Sequence, residues 1–218
     1  MKTAIVFSGG LDSTVLSYML AEKGTISLLT FNYGQIHATE IHAARTIAHI
    51  LGAEHEIIDI SGIKSLLKGS SLTDSRIPVP MKAYDKETMS LTVVPNRNAI
   101  MLSIAWGFAT SNGYDAVACG VHTGDHYIYP DCRPEFLKSI HETLKLATES
   151  PNMELLTPFY NKTKAEIVKI GHNLDVPFDL TWSCYQGGKI HCGECGTCTA
   201  RKQAFLDADV IDHTKYAA

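Results

Sequence analysis

The sequence predicts an α/β protein built on a doubly wound parallel sheet, with a small C-terminal metal-binding lobe. Three observations carry that expectation. Short, uninterrupted apolar runs alternate with segments of helical periodicity, the pattern of strands buried on both faces and of the helices that cross between them. The first of these runs ends in Ser8-Gly9-Gly10, a glycine turn at the place where open α/β sheets bind their ligands. Four of the six cysteines crowd between Cys184 and Cys198, after a shift to Cys, Gly and polar residues beyond Leu180. The expected division is a main α/β domain over residues 1–180 and a lobe packed on it over residues 181–218.

Taken in order, Thr3-Ala4-Ile5-Val6-Phe7 reads as a buried first strand. Val15, Leu16, Met19 and Leu20 then recur at helical spacing as far as Gly24, which is placed to cap a helix C-terminus. A second unit follows, with a strand over 26–31, a helix over 36–51 closed by Gly52, and a third strand over 55–60. Residues 98–110 read as a buried helix, 116–119 as a strand and 134–148 as a helix. Thr163-Lys164-Ala165-Glu166 opens a further helix with a capping box, in which the first and fourth side chains satisfy each other's backbone N–H groups. Between residues 61 and 95 the periodicity fades into a stretch holding Ser70, Ser71, Asp74, Pro78 and Pro80. That stretch is too long for an idle connection, so a lid or substrate loop is expected there. There is no internal repeat and no low-complexity tract.

Composition narrows the function classes. With 218 residues, 45% apolar and 19% charged, the chain can bury a sizeable core, which excludes disordered and fibrous classes. Lys and Arg number 19 against 23 Asp and Glu, a net charge of −4, so the basic excess of a dedicated nucleic-acid binder is missing and no direct nucleic-acid partner is expected. The greasiest segment, residues 99–109, is interrupted by Ser103 and Gly107 and falls short of the ~18 apolar residues of a membrane span. No leader pattern precedes the first strand, and the expected compartment is the cytoplasm.

Ser8-Gly9-Gly10-Leu11-Asp12-Ser13 sits between the first strand and the first helix, where helix amides point at anions. Two glycines let the backbone approach phosphates, Ser8 and Ser13 offer hydroxyls, and Asp12 can hold a Mg²⁺ that bridges phosphates. The competing account is a plain tight turn with Asp12 as the helix N-cap. Neither the G-x-x-x-x-G-K-[ST] loop nor the G-x-G-x-x-G fingerprint is present, which leaves GTPase-type and dinucleotide-type sites unsupported.

Cys184, Cys192, Cys195 and Cys198 form C-x7-C-x2-C-x2-C, and the two-residue gaps let thiolates converge on one tetrahedral Zn²⁺ at about 2.3 Å. Four protein ligands leave no open position, so a structural zinc is expected, with an iron–sulfur cluster and four free thiols as alternatives. Cys119 reads as a core residue, and Cys132 has only a weak claim to a catalytic role.

With the loop and the cysteines placed, the chain resembles the 7-cyano-7-deazaguanine synthase family of PP-loop ATP pyrophosphatases, which serve queuosine precursor synthesis. The resemblance runs from about residue 5 to about residue 203. It rests on SGGLDS, Asn32-Tyr33-Gly34-Gln35, Val94-Pro95-Asn96-Arg97-Asn98, Tyr129-Pro130-Asp131-Cys132-Arg133, Lys164-Ala165-Glu166, and Ser183-Cys184-Tyr185 with Cys192-Gly193-Glu194-Cys195. It implies a Rossmann-like PP-loop fold and a homodimer. It also implies a ligase that uses Mg-ATP and ammonia to convert 7-carboxy-7-deazaguanine to 7-cyano-7-deazaguanine by way of an amide.

On that basis Ser8, Gly9, Gly10, Leu11, Asp12 and Ser13 are the expected ATP-binding residues. Asp12, Ser13, Arg97 and Lys164 are the expected catalytic set, Arg97 and Lys164 supplying charge for phosphate or carboxylate. Tyr33, Arg97, Tyr129, Asp131 and Arg133 are the expected substrate contacts, with packing for the tyrosines and a plain ion pair for Asp131 and Arg133 as the alternatives. The chain departs from the family pattern at Leu11, where Gln is common, at Asn96, where Gly is common, and at His122-Thr123-Gly124-Asp125-His126. The last departure keeps open a reaction that stops at the amide, and it makes His122 and His126 candidates for a general base. His37, His42, His49 and His55 carry no metal-ligand pattern and read as surface or packing residues. A PP-loop enzyme acting on tRNA and a nucleotide sensor without turnover are the remaining alternatives.

Overall fold

In the computed structural model, which describes residues 1–36, 39–81, 88, 90–122 and 129–218, five parallel strands form one sheet in the order β3-β2-β1-β4-β5. The strands are β1 (Lys2–Val6), β2 (Thr25–Asn32), β3 (Glu54–Asp59), β4 (Ala116–Cys119) and β5 (Glu154–Leu156). The helices are α1 (Leu11–Ala21), α2 (Thr39–Leu51), α3 (Arg97–Ser111), α4 (Pro134–Thr148), α5 (Lys164–Asn173) and α6 (Gly196–Ala208).

Strand alternation divides the core in two. Ile5 and Phe7 of the first strand region, Leu28 of β2 and Ala118 of β4 face one side. There they pack with Val15 and Leu16 of α1, Ile47 of α2, Ile167 of α5 and Phe205 of α6. Ala4, Leu29, Val117 and Cys119 face the other side, against Leu102 and Trp106 of α3 and Leu137 and Leu144 of α4. Both faces are therefore covered, as an all-parallel sheet requires. Trp106 is fully buried, and its indole N–H donates to Thr148 Oγ1 at 3.0 Å, so the polar tip of the largest core side chain is satisfied.

The expected strands and helices recur within a few residues, and the exceptions have physical reasons. α2 begins at Thr39 because the chain first turns through Asn32-Tyr33-Gly34-Gln35: Gly34 takes φ +81°, and Gln35 Oε1 accepts from the Tyr33 N–H at 3.0 Å. Residues 37 and 38, including His37, lie outside the described residues. The edge strand β5 is three residues long and half exposed, too short for any periodicity to mark. Residues 181–218 supply α6, whose Ala204, Phe205 and Ala208 enter the same core cluster as Val15 and Phe178.

In the stretch between residues 61 and 95, Ser70, Ser71, Leu72 and Thr73 are buried. The Ile36 N–H donates to the Leu72 carbonyl at 3.0 Å, and the Ser71 N–H to that of Leu91 at 2.7 Å. This part is a packed connection. Residues 82–87 and 89 of the expected lid lie outside the described residues. No helix among the described residues is long and apolar enough to cross a membrane.

Candidate active site

Strand order reverses between β1 and β4, and the carboxyl ends of these neighbouring strands open a crevice. A cavity of about 870 Å³ lies there, bordered by Ser8–Ser13 on one side and by Gly120, Val121 and His122 on the other. The two loops approach closely at Gly120, where a Cβ would stand 3.3 Å from the Ser13 nitrogen and the Asp12 carbonyl carbon.

The loop over Ser8–Ser13 is held first by its own residues. Gly9 has φ +76°, and a Cβ there would fall 2.5 Å from the Ala44 nitrogen of α2, so both backbone angle and space require glycine. The Ser8 N–H donates to Ser13 Oγ at 3.3 Å, the two hydroxyls lie 3.2 Å apart, and the Gly10 N–H donates to Ser8 Oγ at 3.1 Å. These bonds curl the chain so that the first turn of α1 aims its unpaired N–H groups at the cavity, an anion site by dipole and donor alike.

Asp12 is not the N-cap. That position belongs to Gly10, which has no side-chain cap, and Asp12 is the second residue of the helix. Its Oδ2 accepts from Lys164 Nζ at 2.8 Å and lies 3.8 Å from His122 Nε2. Oδ1 is buried with no hydrogen-bond partner among the described residues. Burial pushes the carboxyl up, but Lys164, His122 and Arg201 outweigh it and hold the group below the usual carboxylate range. Asp12 is thus an anion with one oxygen uncommitted.

Lys164 is the first residue of α5, fixed by the capping box: Glu166 N–H donates to Thr163 Oγ1 at 3.2 Å, and Thr163 N–H donates to Glu166 Oε2 at 2.7 Å. Arg97 opens α3 behind Asn96, whose φ of +61° is the left-handed conformation that glycine adopts freely and asparagine tolerates. That accounts for the Asn at a position where the family pattern has Gly. Arg97 borders the cavity, and its Nη1 lies 3.4 Å from the Tyr33 hydroxyl. Burial, against the opposing pull of Arg97, pushes the Tyr33 phenol up to about 12. Tyr129 also faces the cavity, with its hydroxyl 2.6 Å from Thr92 Oγ1.

Other expected residues fall elsewhere. Asp131 and Arg133 are not among the cavity-lining residues; Asp131 Oδ2 accepts from the Asn98 N–H at 2.9 Å, at the start of α3. Cys132 borders the cavity and receives Asn98 Nδ2 at 3.1 Å. Cys119 is buried, and desolvation pushes its thiol up to about 12, which suits a core residue. His42 and His49 are exposed, and His55 Nε2 lies 2.8 Å from Thr30 Oγ1. His126 lies outside the described residues, as does the rest of its loop over 123–128.

Cys184, Cys192, Cys195 and Cys198 converge, with all four Sγ atoms within 4.8 Å of one another and the Cys192 and Cys198 sulfurs 3.9 Å apart. Sulfurs bound to one zinc stand about 3.8 Å from each other, so the set fits a single tetrahedral ion. Cys195 is the N-cap of α6 and Cys198 lies in its first turn, where the helix dipole favours thiolates. Backbone N–H groups of Glu194 and Cys195 donate to Cys192 Sγ at 3.4 and 3.2 Å. The cluster can hold a metal ion.

Two contributors escaped the sequence reading. Trp182 follows the phosphate loop in space, its N–H donating to the Gly9 carbonyl at 2.9 Å. Arg201 is fully buried beside the cavity, although an arginine in a polar stretch reads as solvated.

Comparison with known proteins bears on the family and the fold. The model of the queuosine biosynthesis protein QueC family matches residues 2–209. The 7-cyano-7-deazaguanine synthase of Paracoccus denitrificans is 49% identical, covering 99% of this chain and 93% of that protein. The Brucella ovis protein of the same name is 50% identical, covering 99% and 94%. Among solved structures, the U34-tRNA thiolase NcsA from Methanococcus maripaludis with its [4Fe-4S] cluster aligns with a TM-score of 0.53 and 17% identity, over 100% of this chain and 74% of that one, a likeness of fold.

Proposed function

The chain belongs to the queuosine biosynthesis QueC family, and from that premise we propose that it is an ATP-dependent carbon–nitrogen ligase that converts 7-carboxy-7-deazaguanine and ammonia to 7-cyano-7-deazaguanine. The observation that carries the reading is the meeting of the phosphate loop, Lys164 and Arg97 around one cavity of about 870 Å³, roomy enough for a nucleotide beside a bicyclic base.

A carboxylate is a poor electrophile until its oxygen becomes part of a leaving group. Attack of that oxygen on the α-phosphate of ATP releases pyrophosphate and gives an acyl adenylate, which ammonia converts to the amide with loss of AMP. A second activation, now of the amide oxygen, ends in loss of AMP and of the amide protons to leave the nitrile. The protein's tasks are to align the reactants, to neutralise phosphate charge and to exclude water from a hydrolysable intermediate. The N–H groups of residues 11–13 and the hydroxyls of Ser8 and Ser13 hold the phosphates. Lys164 offers a compact charge beside them, and Arg97 suits the planar carboxylate. Tyr33 and Tyr129 form a wall on which the base stacks. Asp12 Oδ1, buried and unpartnered among the described residues, suits the Mg²⁺ that accompanies ATP; that ion would spread phosphate charge. The four cysteines hold Zn²⁺, which ties the C-terminal segment together without taking part in the reaction. A homodimer, as the resemblance implies, working in the cytoplasm completes the reading.

Purified protein incubated with Mg-ATP, ammonium and 7-carboxy-7-deazaguanine, with products identified by mass spectrometry, tests the proposal. Nitrile with AMP is the expected result, and ADP in its place would move the bond broken to the γ-phosphate. Amide alone would assign the His122–His126 departures to a shortened reaction. Absence of substrate-dependent ATP consumption by folded, metal-loaded protein would overturn it.

A further inference from the structure

Behind the phosphate loop lies a guanidinium that the reaction above does not use. Arg201 of α6 is 1% exposed and borders the cavity. A cation there invites assignment as a phosphate ligand, but its hydrogen bonds argue otherwise. A guanidinium has five N–H donors. Nε reaches Asp212 Oδ2 at 3.2 Å; Nη2 reaches Asp212 Oδ1 at 3.4 Å and the Phe178 carbonyl at 2.8 Å; Nη1 reaches Thr181 Oγ1 at 2.7 Å and Ser183 Oγ at 3.2 Å. All five are committed within the protein, and the charge is matched by a carboxylate. Asp212 is itself held, accepting from the Tyr216 hydroxyl at 2.6 Å and the Thr214 N–H at 3.1 Å.

What this fork grips is the strip from Phe178 to Ser183. The Trp182 N–H in the middle of the strip donates to the Gly9 carbonyl at 2.9 Å, and the Trp182 carbonyl oxygen stands 3.4 Å from where a Gly10 Cβ would be. One step further on, the Ser183 N–H donates to His191 Nε2 at 3.0 Å, and Cys184 enters the thiolate cluster. We propose that the Arg201–Asp212 pair is a positioning device: it fixes residues 181–183 as the back wall of the phosphate loop and makes ATP affinity depend on the C-terminal segment that carries Asp212. The inference rests on the reading of that loop as an ATP site.

The test uses the full-length, metal-loaded protein and Asp212→Asn, which keeps the shape of the side chain and removes its charge. Four quantities are measured: affinity for ATP by direct titration, amide hydrogen exchange over residues 8–13, metal per chain and melting temperature. A displaced loop predicts ATP affinity lower by about tenfold or more, with KM for ATP rising in step and kcat at saturating ATP changed by less than about threefold. Exchange over residues 8–13 should quicken while metal content holds. Lower melting with unchanged ATP affinity and unchanged exchange would mark a merely structural ion pair and overturn the proposal. Should Asp212→Asn fail to fold, Thr181→Val removes one acceptor of the fork and is judged by the same two readouts, with about a threefold loss of affinity expected. A wild-type protein that does not bind ATP would defeat the ligase reading, whereas exchange over residues 8–13 in the variants still decides whether the pair positions the loop.

Discussion

The phosphate loop and the C-terminal cysteine region both border the same cavity, yet they are held in opposite ways. The loop is closed by hydrogen bonds among Ser8, Gly10 and Ser13, within six residues, and by one glycine whose Cβ would collide with α2. The cysteine region depends on partners spread over a longer stretch: thiols from Cys184 to Cys198, a guanidinium at 201 and a carboxylate at 212. Local bonds form with little loss of chain entropy, whereas wider ones close longer loops and need a strong tie, here a buried ion pair and four thiols that could hold a metal ion. The loop should therefore fail through single backbone positions, and the cysteine region through loss of its ligand.

The largest expected effect follows from that. Cys195→Ser, or chelation of the metal, should remove the metal and lower the melting temperature by about 10 °C, since metal bound only by the folded chain adds directly to stability. ATP affinity should fall with it, because Cys184 continues directly into residues 178–183. Full metal content with unchanged melting would show that the thiolates do not act as one site. Next comes Gly9→Ala, which must adopt φ +76° and place a methyl 2.5 Å from the Ala44 nitrogen. A cost of about 2 kcal/mol or more and loss of ATP binding are expected, checked by denaturation and titration. If ATP binding survives, the loop is less dependent on its own backbone than the comparison holds.

Asp12→Asn should separate chemistry from stability. Turnover is expected to drop by about 10²-fold or more, while the lost pairing with the part-exposed Lys164 costs about 1 kcal/mol. The sign of the pH dependence follows from the depressed carboxyl. Its stabilisation is fully present above the unfolded pKa of about 3.9 and is lost as pH falls through the lower folded value. The stability gap between wild type and Asp12→Asn should be flat above about pH 5 and close in more acid solution. A gap that instead widens on acidification would contradict the pairing with Lys164.

The same contrast explains what was legible in the sequence. Ser8–Ser13, the capping box at Thr163 and Glu166, and the cysteine spacing are patterns whose members lie within a few positions, and each places its residues without knowledge of the rest of the fold. α6 was hidden because its core-facing Ala204, Phe205 and Ala208 are mixed with Arg201, Lys202 and Gln203, which blunt the apolar period. The motif around Asp131 suggests a contact to the base and gives no sign that its Oδ2 accepts from the start of α3, a partner 33 residues away in sequence. Arg201 was least visible, since its five acceptors are spread over residues 178–212 and nothing local distinguishes it from a solvated side chain.

The smallest expected effect probes the seam between the two regions. Thr163 caps α5 and so fixes Lys164, the cation that reaches across to Asp12 in the phosphate loop. Thr163→Ala removes the acceptor of the Glu166 N–H while leaving the Glu166 carboxylate to hold the backbone N–H of residue 163. A loss of about 1 kcal/mol is expected, which for a chain of this size lowers melting by roughly 2–4 °C. If α5 is anchored mainly by Ile167 and Val168 in the core, Lys164 keeps its place and ATP affinity changes by less than about twofold. A larger loss of affinity than of stability would mean that Lys164 depends on its cap. Lys164, 152 positions from Asp12, would then join Trp182 as a remote support of the loop, and the contrast between a locally closed loop and a remotely tied C-terminal region would narrow further.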